Sequence, residues 1–203
     1  MFLGKCKVME DKRIMKTKKN LKNTLLELLD EKPFEKISVT ELCQRANTSR
    51  ITFYTYYGDK YELLDEFFRD LKAGASNRFN ELQKQNNPED EPVKSYQNLL
   101  DAILDMYYGH FDFFQHTKPQ ESPDLMFSYY WYVIQSVESF EIKYADQLKP
   151  KYPIKQVSAF LATGMWGFAH MGDVTHQSQD KVRSDAKALL GNLLEGEIFT
   201  REN

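Results

Sequence analysis

Cysteine is scarce in this chain of 203 residues: Cys6 and Cys43 are the only two. They lie far apart in sequence, which leaves no framework for a disulfide-built fold and points to a reducing compartment. Histidine is nearly as rare, with four residues in two pairs, His110 with His116 and His170 with His176. A spacing of six puts the members of each pair on different faces of a straight helix, so no metal site is expected, although Asp173 stands one turn from His170. The chain also lacks a glycine-rich phosphate loop, a Gly-x-Ser-x-Gly elbow and a His-Glu-x-x-His pair, so the common enzyme readings have no machinery to work with and no cofactor is called for. No apolar run approaches the roughly 18 residues of a membrane span. The opening MFLGKCKVM is too short and too charged for a secretory leader, so the expected location is the cytoplasm. No segment repeats at a fixed period.

What is present is helix and an uneven distribution of charge. Hydrophobic residues make up 41% of the chain and charged residues 28%, enough for a small N-terminal domain and a larger body with its own core. The net charge of −3 conceals an asymmetry. Residues 1–60 hold 13 Lys and Arg against 8 Asp and Glu, or +5, and the remainder holds 14 against 22, or −8. A basic head on an acidic body directs the head towards a polyanion.

The head carries the most informative stretch, SVTELCQRANTSRITFYTYYGDKYELL at residues 38–64. Ser38 caps a helix whose inner face is Val39, Leu42 and Ala46, and Glu41, three residues on, completes a capping-box pattern. Asn47 and Thr48 form the turn, Asn being one of the few residues other than glycine that accept a left-handed backbone. Ser49 caps a second helix. On it, Ile51, Tyr54 and Tyr57 are spaced to face inward, which leaves Arg50, Thr52, Thr55 and Tyr56 outward. Arginine bonds a guanine edge with two donors, threonine offers a methyl group and a hydroxyl, and tyrosine hydroxyls reach backbone oxygens. Lys60, at the start of the next helix, adds a phosphate contact at a helix end that already favours anions.

The segment from about Lys18 to Leu64 resembles the DNA-binding domain of the TetR family of one-component transcriptional regulators. LKNTLLELLDEK matches the amphipathic first helix, PFEKISV the hinge and TFYTYYGDKYELL the recognition-helix signature. The usual Tyr-x-His-Phe-x-x-Lys is represented by Tyr54, Tyr56, Tyr57 and Lys60, with Tyr57 in place of Phe and Tyr56 in place of His, and the usual turn glycine is Asn47. The wording of the hinge and signature further resembles a subgroup that includes regulators of dihydroxyacetone kinase operons. The resemblance implies an all-α protein: a flexible tail at 1–15, a three-helix DNA-binding domain with its helix-turn-helix at 16–64, and a larger helical bundle for ligand binding and dimerisation at 65–203. The residues expected to meet double-stranded DNA are Lys18, Lys19, Thr40, Ser49, Arg50, Thr52, Thr55, Tyr56 and Lys60.

The body reads as further helices, over about 59–85, 93–108, 110–116, 124–148, 154–175 and 181–199, punctuated by NNPEDEP, KPQESPD and KPKYP. Its aromatic density exceeds what a Leu and Ile core requires. A ligand cavity with polar tips would use it, and the expected lining is Tyr107, Phe111, Phe114, Tyr130, Trp131, Trp166 and His170. In FLATGMWGFAHMG, Gly164, Gly167 and Gly172 interrupt an apolar helix and allow close approach of another. In the family the last two helices form the dimer interface, so the resemblance implies a homodimer there. It also implies a ligand-responsive repressor on a near-palindromic operator, with a protein coactivator, in place of a small molecule, as the rival partner for the body.

Overall fold

The computed structural model describes residues 12–116, 123–196 and 199–200. In order these form α1 (Lys12–Glu31), a 3-10 turn (Phe34–Lys36), α2 (Val39–Arg45), α3 (Arg50–Tyr56), α4 (Lys60–Asn86), α5 (Pro92–Gly109), α6 (Phe111–His116), α7 (Pro123–Lys143), β1 (Lys149–Pro150), α8 (Ile154–Val174), α9 (Gln179–Glu195) and β2 (Phe199–Thr200). The protein is all-α: β1 and β2 are a two-residue antiparallel pairing of Lys149 with Thr200 and Pro150 with Phe199. The described residues fall into two compact units. One runs to Asp70 and takes in residues 112–116, and the other holds Leu71–Phe111 and the chain from Pro123.

In the first unit the periodic apolar face of α1 supplies Leu21, Leu25, Leu28 and Leu29, all buried. Burial of each stabilises the unit by roughly 1.5–3 kcal/mol. They meet Phe34, Ile37, Leu42, Ala46, Phe53 and Leu63, also buried. Ser38 caps α2 as the sequence predicts, its hydroxyl accepting from the Glu41 amide at 3.2 Å. The Glu41 carboxylate accepts from Lys32 at 2.6 Å, so it ties α2 to the end of α1. Asn47 has φ 47° and turns the chain into α3. Ser49 caps α3, accepting from the Thr52 amide at 3.0 Å.

The packed face of α3 differs from the expectation. Tyr57, just past its end, is buried as expected, but its buried companion one turn earlier is Phe53, whereas Ile51 is 83% and Tyr54 49% exposed. The helix begins where the turn and cap place it; what differs is the face it packs, because the larger Phe53 ring is the side chain that fills the core.

Helix α1 is helical from Lys12, within the span expected as tail, and residues 1–11 lie outside the described residues. Helix α7 ends at Lys143, short of the expected Leu148, because Tyr144–Leu148 turn to meet β1. The polar loop at Pro88–Glu91 does stop α4: Pro92 opens α5, and Glu91 caps it by accepting from the amides of Val93 and Lys94 at 3.1 and 2.7 Å.

In the second unit α8 packs against α7 and α9, and α9 against α5. Buried Leu100, Leu104, Val133, Val137, Leu161, Val182, Leu190 and Leu194 form its core. Arg183 joins α9 to α5 by donating to Asp101 at 3.0 Å and to Asp105 at 2.6 Å, and Lys187 adds a bond to Asp101 at 2.6 Å. Gly172 is buried where α8 crosses α9, and any Cβ there would collide with the Val182 side chain. Gly74 on α4 has open space in its place. Gly172→Ala is expected to destabilise the second unit by about 1–3 kcal/mol through overpacking, whereas Gly74→Ala should stabilise it by roughly 0.5–1 kcal/mol through helix propensity. Denaturant midpoints of the two variants check the contrast, and a Gly172→Ala protein as stable as its parent would show that the helices separate without cost.

Candidate nucleic-acid interface and internal cavity

The exposed face of α3 gathers Arg50, Ile51, Tyr54 and Thr55, flanked by the half-buried Thr52 and Tyr56. The Arg50 guanidinium lies 5.9 Å from the centre of the Tyr54 ring. Such stacking narrows the conformations of a long side chain before it meets a partner. Thr55 Oγ1 donates to the Ile51 carbonyl at 2.9 Å, and Ser49 and Thr52 share a hydroxyl contact of 2.8 Å, which directs their remaining hydrogen-bonding capacity outward. Thr40 is exposed at the start of α2.

Two of the expected phosphate ligands are committed elsewhere. Lys60 points its ammonium at the carbonyls of Phe34, Glu35 and Ile37, at 2.8, 3.1 and 3.0 Å, and lies 4.5 Å from the Phe34 ring centre. Its three donors are occupied, so the expectation of a phosphate contact is corrected to a structural role. Lys18 pairs with Glu66 on α4 at 3.1 Å, and Lys22 pairs with the same carboxylate at 3.1 Å and with Asp70. Burial works to raise the Glu66 carboxyl, but the two ammonium groups outweigh it and hold the carboxyl below its ordinary range. Helical spacing turns Lys19 the other way. It lines a polar groove of about 430 Å³ with Lys16, Asn20 and Asn23 of α1 and Asn47 and Thr48 of the turn. The sequence reading missed this groove, because its partners are 23 or more positions apart and the amide that holds it, Asn20 donating to the Ala46 carbonyl at 2.7 Å, has no signature in the sequence. Cys43 is buried, and loss of solvation pushes its thiol up, which suits a packing residue better than a redox-active one; Cys6 lies outside the described residues.

The second unit encloses an apolar cavity of about 50 Å³ lined by α5, α7, α8 and α9. Tyr107, Tyr130 and Trp166, three of the expected lining residues, are there with Met165. Trp166 packs edge-on to Tyr107 at 4.9 Å and to Tyr130 at 5.8 Å between ring centres. The Tyr107 hydroxyl donates to Asp173 at 2.7 Å. The other four are corrected. Trp131 is 53% exposed, and His170 is exposed on α8, about a quarter-turn round the helix from the buried Ala169. Phe114 is buried in the first unit beside Phe113, and Phe111 stacks on Tyr108 outside the lining. On α7 and α8, residues adjacent in sequence point about 100° apart, so a dense aromatic run cannot all converge on one cavity. Most of the remaining wall is aliphatic, with Leu99, Leu100, Ile103, Leu104 and Leu161 among it, and such a pattern is indistinguishable in sequence from ordinary core; Tyr96 is its other aromatic member.

Residues 23–67 match the sequence family of bacterial regulatory proteins named tetR. That segment of the chain is a TetR-family N-terminal domain. The chain is 27% identical over 120 residues to YxbF, an uncharacterised helix-turn-helix regulator of Bacillus subtilis (strain 168); the match covers 57% of this chain and 31% of that protein, so the chain spans about a third of the curated relative. Among solved structures, it is similar in fold to a TetR-family regulator from Syntrophomonas wolfei str. Goettingen, with a TM-score of 0.73, 11% identity and coverage of 90% of this chain and 97% of that one. A second, from Shewanella sp. PV-4, gives a TM-score of 0.67 at 18% identity, covering 91% and 99%. The dihydroxyacetone kinase operon activator DhaS gives 0.57 at 18% identity, covering 89% and 97%. Among the described residues no helix is long and apolar enough to cross a membrane.

Lys60→Met separates the structural role from a phosphate contact. Leaving three carbonyls without their donor is expected to lower stability of the first unit by about 1–3 kcal/mol, with no change in the salt dependence of DNA binding by the folded protein. A phosphate ligand would instead reduce the slope of log affinity against log salt by about one. Parallel unfolding and DNA-binding titrations at several salt concentrations distinguish the two.

Proposed function

We propose that this protein is a ligand-responsive repressor of the TetR family that binds a near-palindromic operator as a homodimer, with an effector in the cavity of its second unit controlling the spacing of two recognition helices. The observation that carries the reading is the pairing of a capped, outward-facing α3 with an apolar cavity elsewhere in the same chain. Arg50, with Ile51 and Tyr54 beside it, is the base-reading group; Thr52, Thr55, Tyr56, Ser49 and Thr40 serve the phosphate backbone, and Lys16 and Lys19 extend that contact along the groove. The methyl groups of Ile51 suit contact with thymine in a major groove, a role the sequence assigned to the core.

Dimerisation is proposed through α8 and α9. Phe160, Gly164, Gly167, Met171 and Val174 recur at alternating steps of four and three residues, the spacing of a helix-packing seam, and Phe160, Gly164, Met171 and Val174 are exposed in the single chain. At Gly164 and Gly167 an added Cβ would meet nothing within 4 Å among the described residues, which counts against burial of this helix inside its own subunit. Leu189 of α9 is exposed as well.

A cavity of 50 Å³ is well below the roughly 300–1,000 Å³ of typical ligand sites. An effector must therefore select a widened form of the bundle, and it shifts the balance between DNA-competent and incompetent forms by as much as its affinity for the two differs. Helix α4, which contributes Lys60–Asp70 to one unit and Leu71–Asn86 to the other, is the proposed carrier of that change. A protein coactivator would call for a contiguous apolar patch on the body. On α7 the exposed Trp131 and Ile142 have the polar Gln135 and Ser139 between them, which favours the small molecule.

Arg50→Ala is expected to weaken operator binding by about 1–3 kcal/mol and to relax specificity at one base pair in each half-site. Competition binding against a set of single-base operator variants measures both effects, and a variant with the parent's affinity and specificity excludes Arg50 as a reader. For assembly, Gly164→Trp should yield folded monomers, since the residue has open space in the protomer but none against a close partner. Sedimentation of this variant as an intact dimer would place the interface elsewhere.

A further inference from the structure

Glu141 of α7 has no solvent exposure, an unusual position for a carboxylate. Its Oε2 accepts from the Ser158 hydroxyl at 2.9 Å, and its Oε1 is buried without a hydrogen-bond partner. The charged neighbour acting on it is Glu138, of the same sign, and with burial as the larger cause its carboxyl is pushed up to about 7. A buried carboxylate is stable only when paired, and among the described residues none supplies a counter-charge to it.

Glu141 and Ser158 stand one helical turn outside the lining of the cavity. Val137, one turn before Glu141 on α7, and Leu161 and Ala162, one turn after Ser158 on α8, are lining residues. Tyr96 of α5 also lines the cavity, feels the Glu141 charge, and holds its hydroxyl buried without a partner. The wall therefore includes the Tyr96 phenol and has an unpaired acidic acceptor buried in the layer next to it, while the described lining contains no Lys, Arg or His.

We propose that Glu141 is the recognition pole of the cavity and that the effector is a hydrophobic cation, an aromatic or aliphatic body carrying one ammonium group that Oε1 accepts while the body fills the space between Tyr107, Tyr130 and Trp166. This rests on the reading of the cavity as the effector site and names the class of molecule it takes. The ammonium supplies the missing counter-charge, the Tyr96 hydroxyl of the wall is a further partner, and an anionic ligand would meet uncompensated repulsion from Glu141. The Ser158 hydroxyl leaves Oε1, not Oε2, as the acceptor open to the ligand.

The test compares phenethylamine with propylbenzene, an uncharged molecule of nearly the same shape, as probes of the full-length protein at pH 8. Fluorescence in a Trp131→Phe background isolates Trp166, which lines the cavity. The parent is expected to bind the amine more tightly than the hydrocarbon, and Glu141→Gln to weaken the amine by about tenfold or more, the scale of a lost charge-assisted bond, with the hydrocarbon unaffected. Glu141→Leu, which fills the same volume with apolar atoms, gives the same reading if the glutamine variant fails to fold. Binding of propylbenzene without preference for the amine, or an amine affinity unchanged by both substitutions, overturns the proposal and leaves the cavity as an effector site. Binding of neither probe overturns the effector-site reading and the proposal together.

Discussion

Lys60 spends its three donors on the carbonyls of Phe34, Glu35 and Ile37, and the geometry of the first unit follows from that commitment. Those carbonyls belong to the segment where the chain leaves α1 and turns towards α2, so one ammonium fixes that corner to the first residue of α4. Neighbouring groups reinforce the corner: Tyr61 packs edge-on to Phe34 at 5.2 Å, its hydroxyl donates to Glu35 at 3.1 Å, and Asp59 caps α4 by accepting from the amides of Tyr61 and Glu62. With the corner fixed, the lysines of α1 are sorted by helical phase. Lys18 and Lys22 close onto Glu66, while Lys16 and Lys19 line the groove beside the turn. The outward face of α3 is then set by the burial of Phe53.

The second unit is built on a different balance. Its helices close around a small apolar space, and an unpaired tyrosine hydroxyl of its wall and an unpaired carboxylate oxygen one helical turn from that wall are held out of water. Retaining unpaired polar atoms costs stability, and a protein under selection for stability alone would replace them. Their presence next to a cavity is intelligible if a ligand completes them. Binding then does two things, relieving the buried charge and favouring a wider bundle, and both bias the same equilibrium.

The fold was largely legible in the sequence because its signals are local. Ser38 and Ser49 as caps, Asn47 as the left-handed turn, and Pro92 at the head of α5 act within a few residues of themselves. The sites were legible in part. Arg50 and Thr55 stand outward as their positions imply, but Ile51 and Tyr54 are exposed because on so short a helix one large ring, Phe53, fills the core and decides which face packs. Lys60 and Lys18 looked like phosphate ligands because charge was readable and partners were not: the carbonyls and the carboxylate that hold them are 23 to 48 positions away. Glu141 was invisible for the same reason. An acidic residue on an amphipathic helix reads as solvated, and only packing shows that it is enclosed.

The central claim, that a symmetric pair of α3 helices reads DNA, is most directly tested by selecting bound duplexes from a random pool with the purified protein and sequencing them. The account predicts an enriched near-palindrome whose half-sites are separated by about one helical turn or a multiple of it. Enrichment of a single unpaired half-site, or of no sequence at all, would contradict it.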